Sequence, residues 1–77
     1  MEDFENNFHV GDEIEATLSN RTYIRGTIKY MFVSGNNSAS PEHSYFSIYN
    51  HETDVLLENI KFSYVVECRM IKKGNRG

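Results

Sequence analysis

Apolar and polar residues alternate along most of this chain, which is the period of β-strands that bury one face. Turn-forming segments rich in Ser, Asn, Asp and Gly separate the alternating stretches. The pattern predicts an all-β protein of five short antiparallel strands, each joined to the next by a turn or loop. The predicted strands cover residues 10–18, 23–33, 45–50, 55–62 and 65–71.

The alternation also assigns a face to each residue of the two longest predicted strands. In the first, the inward residues are predicted to be Val10, Ile14, Ala16 and Leu18. In the second, the inward set is Ile24, Gly26, Ile28, Tyr30 and Phe32, and the outward set is Tyr23, Arg25, Thr27, Lys29 and Met31. In the last strand, Cys68 is predicted to be a small buried residue that shares a face with Val66 and Met70.

Gly26 stands on the inward face of the second strand, where it has no side chain to pack. Glycine inside a strand usually marks a bulge, a sharp bend or the close approach of another backbone. A small barrel needs such a bend to close on itself. We therefore assign Gly26 a structural role and predict that the sheet is strongly bent and closed into a small barrel.

The length of 77 residues allows a single domain. We divide it into a polar N-terminal segment (1–9), one barrel domain (10–71) and a flexible basic tail (72–77). The loop of residues 34–44 is long for a connection between neighbouring strands, and such loops are either functional or disordered. One cysteine excludes a disulfide within the chain, so self-association is the remaining route to extra stability.

Charge and composition narrow the function classes. The net charge of −3 differs from the basic balance usual in proteins that wrap duplex DNA. The histidines and the cysteine are scattered, so we expect no metal site and no cofactor. No hydroxyl, histidine and carboxylate have the spacing of a catalytic site, so we do not expect an enzyme. Without an apolar run of about 20 residues or a signal-peptide pattern, we expect a cytoplasmic protein without a membrane role.

The string Leu-Ser-Asn-Arg-Thr-Tyr-Ile-Arg-Gly-Thr-Ile, residues 18–28, resembles the first motif of Sm and Sm-like (Hfq-type) proteins. That motif runs Leu-x-Asn-Gly-x-x-apolar-x-Gly-x-apolar. The resemblance implies a five-stranded bent barrel, single-stranded RNA as a ligand, and a homo-oligomer paired through edge strands 54–62 and 65–71. The same strand order also fits SH3-like barrels. The positions that match are Leu18, Asn20, Ile24, Gly26 and Ile28.

Other family positions differ. Arg21 stands where the motif has Gly, and Met31 to Gly35 replace the Asp-x-x-x-Asn that follows the second strand. The second motif, with its Arg-Gly, is not found around Val66 to Met70. The matching positions form the fold, so no RNA-contacting residue is carried over from the family.

Tyrosines and basic residues of the predicted outer face are candidate binding residues, because aromatic rings stack on bases and cations contact phosphates. The same side chains anchor protein interfaces or stabilise a sheet as cross-strand pairs. Two functions follow: an Sm-like RNA-binding module, or a protein-interaction module or small inhibitor that reads its partner through its aromatics and the 34–44 loop. A composition rich in Asn, Ile and Tyr, with few Ala and Pro, suits an AT-rich bacterial or phage genome. The candidates are Arg21, Tyr23, Arg25, Lys29, Tyr45 and Tyr49.

Overall fold

The computed structural model describes residues 4–35 and 42–74. The described chain forms five antiparallel strands in one sheet, which confirms the predicted all-β class. The elements are α1 (Phe4–Asn7), β1 (Glu13–Leu18), β2 (Tyr23–Phe32), β3 (Tyr45–Asn50), β4 (Val55–Lys61), a 3₁₀ turn (Phe62–Tyr64) and β5 (Val65–Lys72).

The strand order is β4-β3-β2-β1-β5, so β4 and β5 are the two edges of the sheet. Neighbours in sequence pair with one another except at β5, which returns to pair with β1. Among the described strands, β4 and β5 do not pair with each other. The sheet is therefore open, and strand pairing does not close it into a barrel.

Gly26 lies opposite Ile14 of β1, at the point where the backbone of β3 comes close to β2. A Cβ atom at residue 26 would lie 2.5 Å from the carbonyl oxygen of Tyr49 and 2.8 Å from its carbonyl carbon. No side chain fits in that space. The fold therefore requires glycine here for a close backbone approach, one of the uses that glycine has inside strands.

A β-bulge at Lys29 exchanges the two faces of β2. Ile28 pairs with Ile48 and Tyr30 with Ser47, so Lys29 is an extra residue without a partner. The predicted inward positions of Tyr30 and Phe32 are wrong for this reason. Tyr30 is 52% exposed and Phe32 is 42% exposed, because one extra residue reverses all the alternation beyond it.

Two further inward assignments are wrong. Val10 is 52% exposed and lies in a turn before β1, next to Gly11 with its positive φ of 99°. Val66 is 63% exposed because a second bulge, between the pairs Thr17–Glu67 and Leu18–Val65, leaves it unpaired. Cys68 therefore does not share its face with Val66.

The core covers the inner face of the sheet and includes the N-terminal turn. In α1, Phe4 stacks on Phe46 with ring centroids 4.7 Å apart and contacts Phe62 at the same distance. Phe8 packs beside Phe4 at 5.0 Å. Cys68 packs partly buried against this core, and desolvation raises the pKa of its thiol to about 12. The core residues are Phe4, Phe8, Ile14, Ala16, Ile24, Ile28, Phe46, Ile48, Ile60, Phe62 and Val65.

Asp12 connects the segments that precede and follow the sheet. Its buried carboxylate accepts hydrogen bonds from the backbone N–H of His9, at 2.9 Å, and of Gly74, at 2.7 Å. Lys72, where the predicted tail begins, is the last residue of β5 and pairs with Glu13. The rest of that predicted tail, residues 75–77, lies outside the described residues. In the described part, no helix is both long and apolar enough to span a membrane.

Candidate functional site

The part of the outer face that is formed by β5, β1 and the start of β2 is a network of ion pairs. Strand pairing puts Glu15 in one row with Arg25 and Arg69. Arg69 donates from Nη2 to one carboxylate oxygen of Glu15, and the Tyr23 hydroxyl donates to the other at 2.6 Å. Nη2 of Arg25 lies 3.4 Å from Oε2 of Glu13. We call these five residues the ion-paired cluster.

The hydrogen bonds of the cluster shift two pKa values in opposite directions. The bonds from Tyr23 and Arg69 lower the pKa of the Glu15 carboxyl group. The bond to Glu15 raises the pKa of the Tyr23 phenol, because deprotonation would bring two negative charges together. Arg25 already has a carboxylate partner in Glu13. The charged groups of the cluster are thus paired with one another. Such exposed ion pairs contribute only modestly to the stability of the fold.

Arg21 is not part of the cluster but lies at one end of it, in a hairpin loop of residues 19–21 that is closed by the hydrogen bond from the N–H of Leu18 to the carbonyl of Thr22, at 2.8 Å. Its backbone is left-handed, with φ of 67°, and its N–H donates to the carbonyl of Leu18 at 2.9 Å. The side chain of Asn20 accepts a hydrogen bond from the N–H of Thr22 at 3.0 Å. This is a three-residue hairpin loop with a left-handed last residue, a conformation that glycine adopts at least cost.

Tyr49 and Lys29 meet on the outer face near the end of β3. The Lys29 ammonium lies 5.8 Å from the centroid of the Tyr49 ring, within cation–π range. His51 packs edge-on against the same ring at 4.8 Å. The Tyr49 hydroxyl donates to a carboxylate oxygen of Asp54, and this bond raises the pKa of the phenol.

Beyond the Lys29 bulge, three aromatic rings form a row on the outer face. Phe32 stacks on Tyr45 with centroids 5.3 Å apart, and Tyr30 lies 6.1 Å from Tyr45. Two of the rings are about half exposed, and Tyr45 is of intermediate burial. We call Tyr30, Phe32 and Tyr45 the aromatic patch. Sequence reasoning found only Tyr45 as a binding residue, because alternation without the bulge turns the other two inward.

A cleft of about 270 Å³ adjoins the aromatic patch. A register shift between the pairs Phe46–Ile60 and Ile48–Leu57 sets two residues of β4 against one of β3. Lys61 follows Ile60 in β4 and pairs with Tyr45. Its ammonium lies 5.8 Å from the centroid of the Tyr64 ring. The cleft is lined by Tyr30, Tyr45, Ser47, Glu58 and Asn59.

The base of the 34–44 loop is fixed to the sheet. The backbone N–H of Ser34 donates to the hydroxyl of the buried Ser44 at 2.9 Å, and the carbonyl of Ser44 accepts from Phe62 at 2.9 Å. The middle of this loop, residues 36–41, lies outside the described residues. The role predicted for it in partner recognition stays a prediction.

The two edge strands expose apolar side chains as well as backbone. On β4, Val55, Leu56 and Leu57 are between 39% and 49% exposed. On β5, Val66 is 63% exposed and Ile71 is 38% exposed. Open edges with exposed apolar residues are the usual template for pairing with another strand.

The structure does not bring the predicted binding residues together in one site. Tyr23 and Arg25 belong to the ion-paired cluster, and Arg21 lies in a turn at one end of it. Lys29 and Tyr49 pair near the end of β3, and Tyr45 belongs to the aromatic patch. Among the described residues, no group of three His, Cys, Asp or Glu side chains could hold a metal ion.

Comparison with known proteins adds no relative. No protein-family model, no curated protein and no solved structure matches this chain. The geometry of its own residues therefore carries the functional inference.

Proposed function

We propose that this protein is a non-catalytic, Sm-like β-sheet module that binds single-stranded RNA on its aromatic patch. The observation that carries the proposal is the row of Tyr30, Phe32 and Tyr45 on the outer face, two of its rings about half exposed. Sequence-tolerant binders of single strands stack successive bases on such rings.

Lysines lie on both sides of this row. Lys29 is the bulged residue next to Tyr30, and Lys61 is the β4 partner of Tyr45. Both are exposed, and in the described residues neither forms an ion pair. Their ammonium groups lie over the rings of Tyr49 and Tyr64, and in the proposed complex they contact phosphates on either side of a strand whose bases lie on the patch. Arg25 has its carboxylate partner already, so we assign phosphate contact to the lysines instead.

The proposal is tested by fluorescence anisotropy with a labelled mixed-sequence RNA of ten nucleotides at low salt. Each stacked base contributes about 1–3 kcal/mol to binding in related surfaces, so Tyr45→Ala should weaken affinity roughly 5- to 150-fold. Lys61→Gln should make the slope of log K against log salt concentration shallower by about one, because one phosphate contact is lost.

Arg25→Gln is the matched control, because it removes a cation from the same face but from the ion-paired cluster. We expect it to change affinity less than about twofold. If Arg25→Gln weakens binding as much as Tyr45→Ala does, the binding site has been assigned to the wrong half of the sheet. If the wild-type protein does not bind the RNA at low salt, the proposed function is wrong.

We also propose that copies of the chain associate by pairing β4 of one with β5 of the next. The two open edges and their exposed apolar residues support this. Light scattering should then give the mass of two or more chains of 9.0 kDa. Leu56→Lys should reduce it to the monomer, because a charge on an edge strand blocks pairing. Val10→Lys is the control, since Val10 is similarly exposed but lies outside the edges. A wild-type monomer contradicts this proposal.

A protein partner is the second candidate function, and the net charge of −3 favours it. Tyrosine and phenylalanine are common anchors of protein interfaces, so the same aromatic patch would serve. Capture of one protein that Tyr45→Ala no longer retains, together with no affinity for RNA, would support this candidate over the first.

A further inference from the structure

We propose that the cleft beside the aromatic patch is a subsite for a single guanine base. This inference rests on the proposed binding of single-stranded RNA, and it names the base that the site prefers. The cleft is small, about 270 Å³, whereas pockets for drug-sized ligands begin at roughly 300 Å³. Its size therefore suits one base.

The walls of the cleft offer stacking surface on one side and hydrogen-bonding groups on the other. Tyr30 and Tyr45 are the aromatic lining residues, and Ser47, Glu58 and Asn59 are the polar ones. An unstacked base that lies on a tyrosine ring keeps its Watson–Crick edge free for protein groups. The subsite thus combines the two features by which proteins read single-stranded bases.

The backbone holds the polar residues beside the rings. The register shift in β4 sets Glu58 and Asn59 against Ser47, and Ser47 pairs with Tyr30 on the other side of β3. Asn59 has a positive φ of 57°, a left-handed conformation that asparagine tolerates better than most residues. Within the described part of the chain, the side chains of Glu58 and Asn59 have no hydrogen-bond partner. Both are therefore available to a ligand.

Glu58 is the residue that favours guanine. An ionised carboxylate only accepts hydrogen bonds, and it has two oxygens side by side. Guanine presents two adjacent donors, N1–H and the N2 amino group. Uracil has one donor between two carbonyl oxygens, and cytosine and adenine have an amino donor next to a ring-nitrogen acceptor. Those oxygens and that ring nitrogen would face the negative charge of Glu58, so only guanine pairs with both of its oxygens.

The test uses labelled RNAs in which one guanosine, adenosine or inosine lies within a run of uridines. Their affinities are measured by fluorescence anisotropy. We expect the guanosine RNA to bind at least about 10-fold more tightly than the adenosine RNA, as a bidentate contact to a base would give. Inosine keeps N1–H but lacks the amino group, so its RNA should lie between the two. Glu58→Gln should reduce the preference for guanosine to within about twofold.

Glu67→Gln is the matched control, because it removes the same charge from an exposed position on β5. It should retain the full preference for guanosine. Equal binding of all three RNAs by the wild-type protein would overturn the subsite while leaving the proposed function intact. A preference for guanosine that persists in Glu58→Gln would also overturn it.

A second readout separates the subsite from RNA binding as a whole. Free guanosine, titrated into the protein and followed by NMR, should shift the backbone amide signals of Ser47, Glu58 and Asn59 more than adenosine does. If that shift occurs without measurable RNA affinity, the subsite stands and the proposed function fails. If guanosine produces no selective shift in these signals, the subsite is wrong.

Discussion

The ion-paired cluster and the aromatic patch lie on the same face of the sheet, before and after the bulge at Lys29 along β2. In the cluster, the Tyr23 hydroxyl and the Arg69 guanidinium both donate to Glu15. In the patch, Tyr30 is 52% exposed and its ring lies 6.1 Å from that of Tyr45. Tyr23 is similarly exposed, at 57%, so the two tyrosines differ in whether the neighbouring strand supplies a carboxylate partner for the hydroxyl.

The difference shows that residue type alone does not tell whether a side chain already has a partner within the sheet. Tyrosines and arginines at strand positions satisfy the general description of a binding site for nucleic acid. Here, pairing with β1 gives two of them carboxylate partners, Glu15 for Tyr23 and Glu13 for Arg25. Which of the exposed side chains have such partners becomes visible only when the register of every strand is known.

We expect the greatest loss of stability from a side chain placed where β2 and β3 come close together. In Gly26→Ala, the new Cβ would meet the backbone of Tyr49 at 2.5 Å, and backbone cannot move aside as a flexible side chain can. We expect a loss of about 2–3 kcal/mol in the free energy of unfolding, measured with urea. Thr27→Ala, at the next position on the outer face, should cost less. An unchanged urea midpoint for Gly26→Ala would show that the approach is not required.

A smaller effect should come from acid, and it should depend on the ion-paired cluster. The pKa of Glu15 is lowered in the folded protein from an ordinary value of 4.5. Its contribution to stability is therefore present above that value and is lost as the pH falls through the lowered folded pKa. As the pH falls below 4.5, Glu15→Gln should therefore lose less stability than the wild type.

The alkaline side gives a matched pair of variants for the same comparison. The pKa of Tyr23 is raised above 10.0, so its contribution is present below that pH and is lost as the pH rises through the raised value. Tyr23→Phe should remove a late-titrating phenol from the ultraviolet titration and weaken the acid dependence due to Glu15. Tyr45→Phe should leave that acid dependence unchanged. If both variants change it equally, the cluster does not act as a unit.

The smallest expected effect concerns Arg21. Its left-handed φ of 67° is unfavourable for a residue with a side chain, so Arg21→Gly should raise the free energy of unfolding by about 0.5 kcal/mol. Arg21→Ala keeps the strain and is the control. RNA affinity should change less than about twofold in both, because Arg21 lies in the β1–β2 turn, away from the aromatic patch. Equal stability of the two variants would contradict the role given to the backbone.

The strands were predictable because each is a short alternating or largely apolar run between turn residues. The predicted segments for β3 and β4 begin at Tyr45 and Val55, as in the structure. The bulges at Lys29 and Val66 were not predictable, because they depend on register against strands that pair from elsewhere in the chain. No particular residue type marks a bulge in the sequence, yet the bulge decides which side chains of the strand face water.

The candidate site was predictable only in part for the same reason. Tyr45 was named because it follows the alternation of a strand without a bulge before it. The ion pair of Glu15 with Arg69 joins strands at opposite ends of the sequence, and alternation contains no information about that pairing. The burial of Phe4 and Phe8 did have a signal, since residues four apart lie on one side of a helical turn.

The pairing of β1 with β5 also has a consequence in time. A ribosome adds about 5–20 residues per second, so roughly 3–10 seconds separate the synthesis of β1 from that of β5. During this interval the outer edge of β1 has no partner strand and is open to wrong ones. β1 carries Glu13 and Glu15, and charges on an exposed edge strand discourage aggregation. Glu15, whose partner Arg69 belongs to β5, can thus protect the nascent chain before that partner exists.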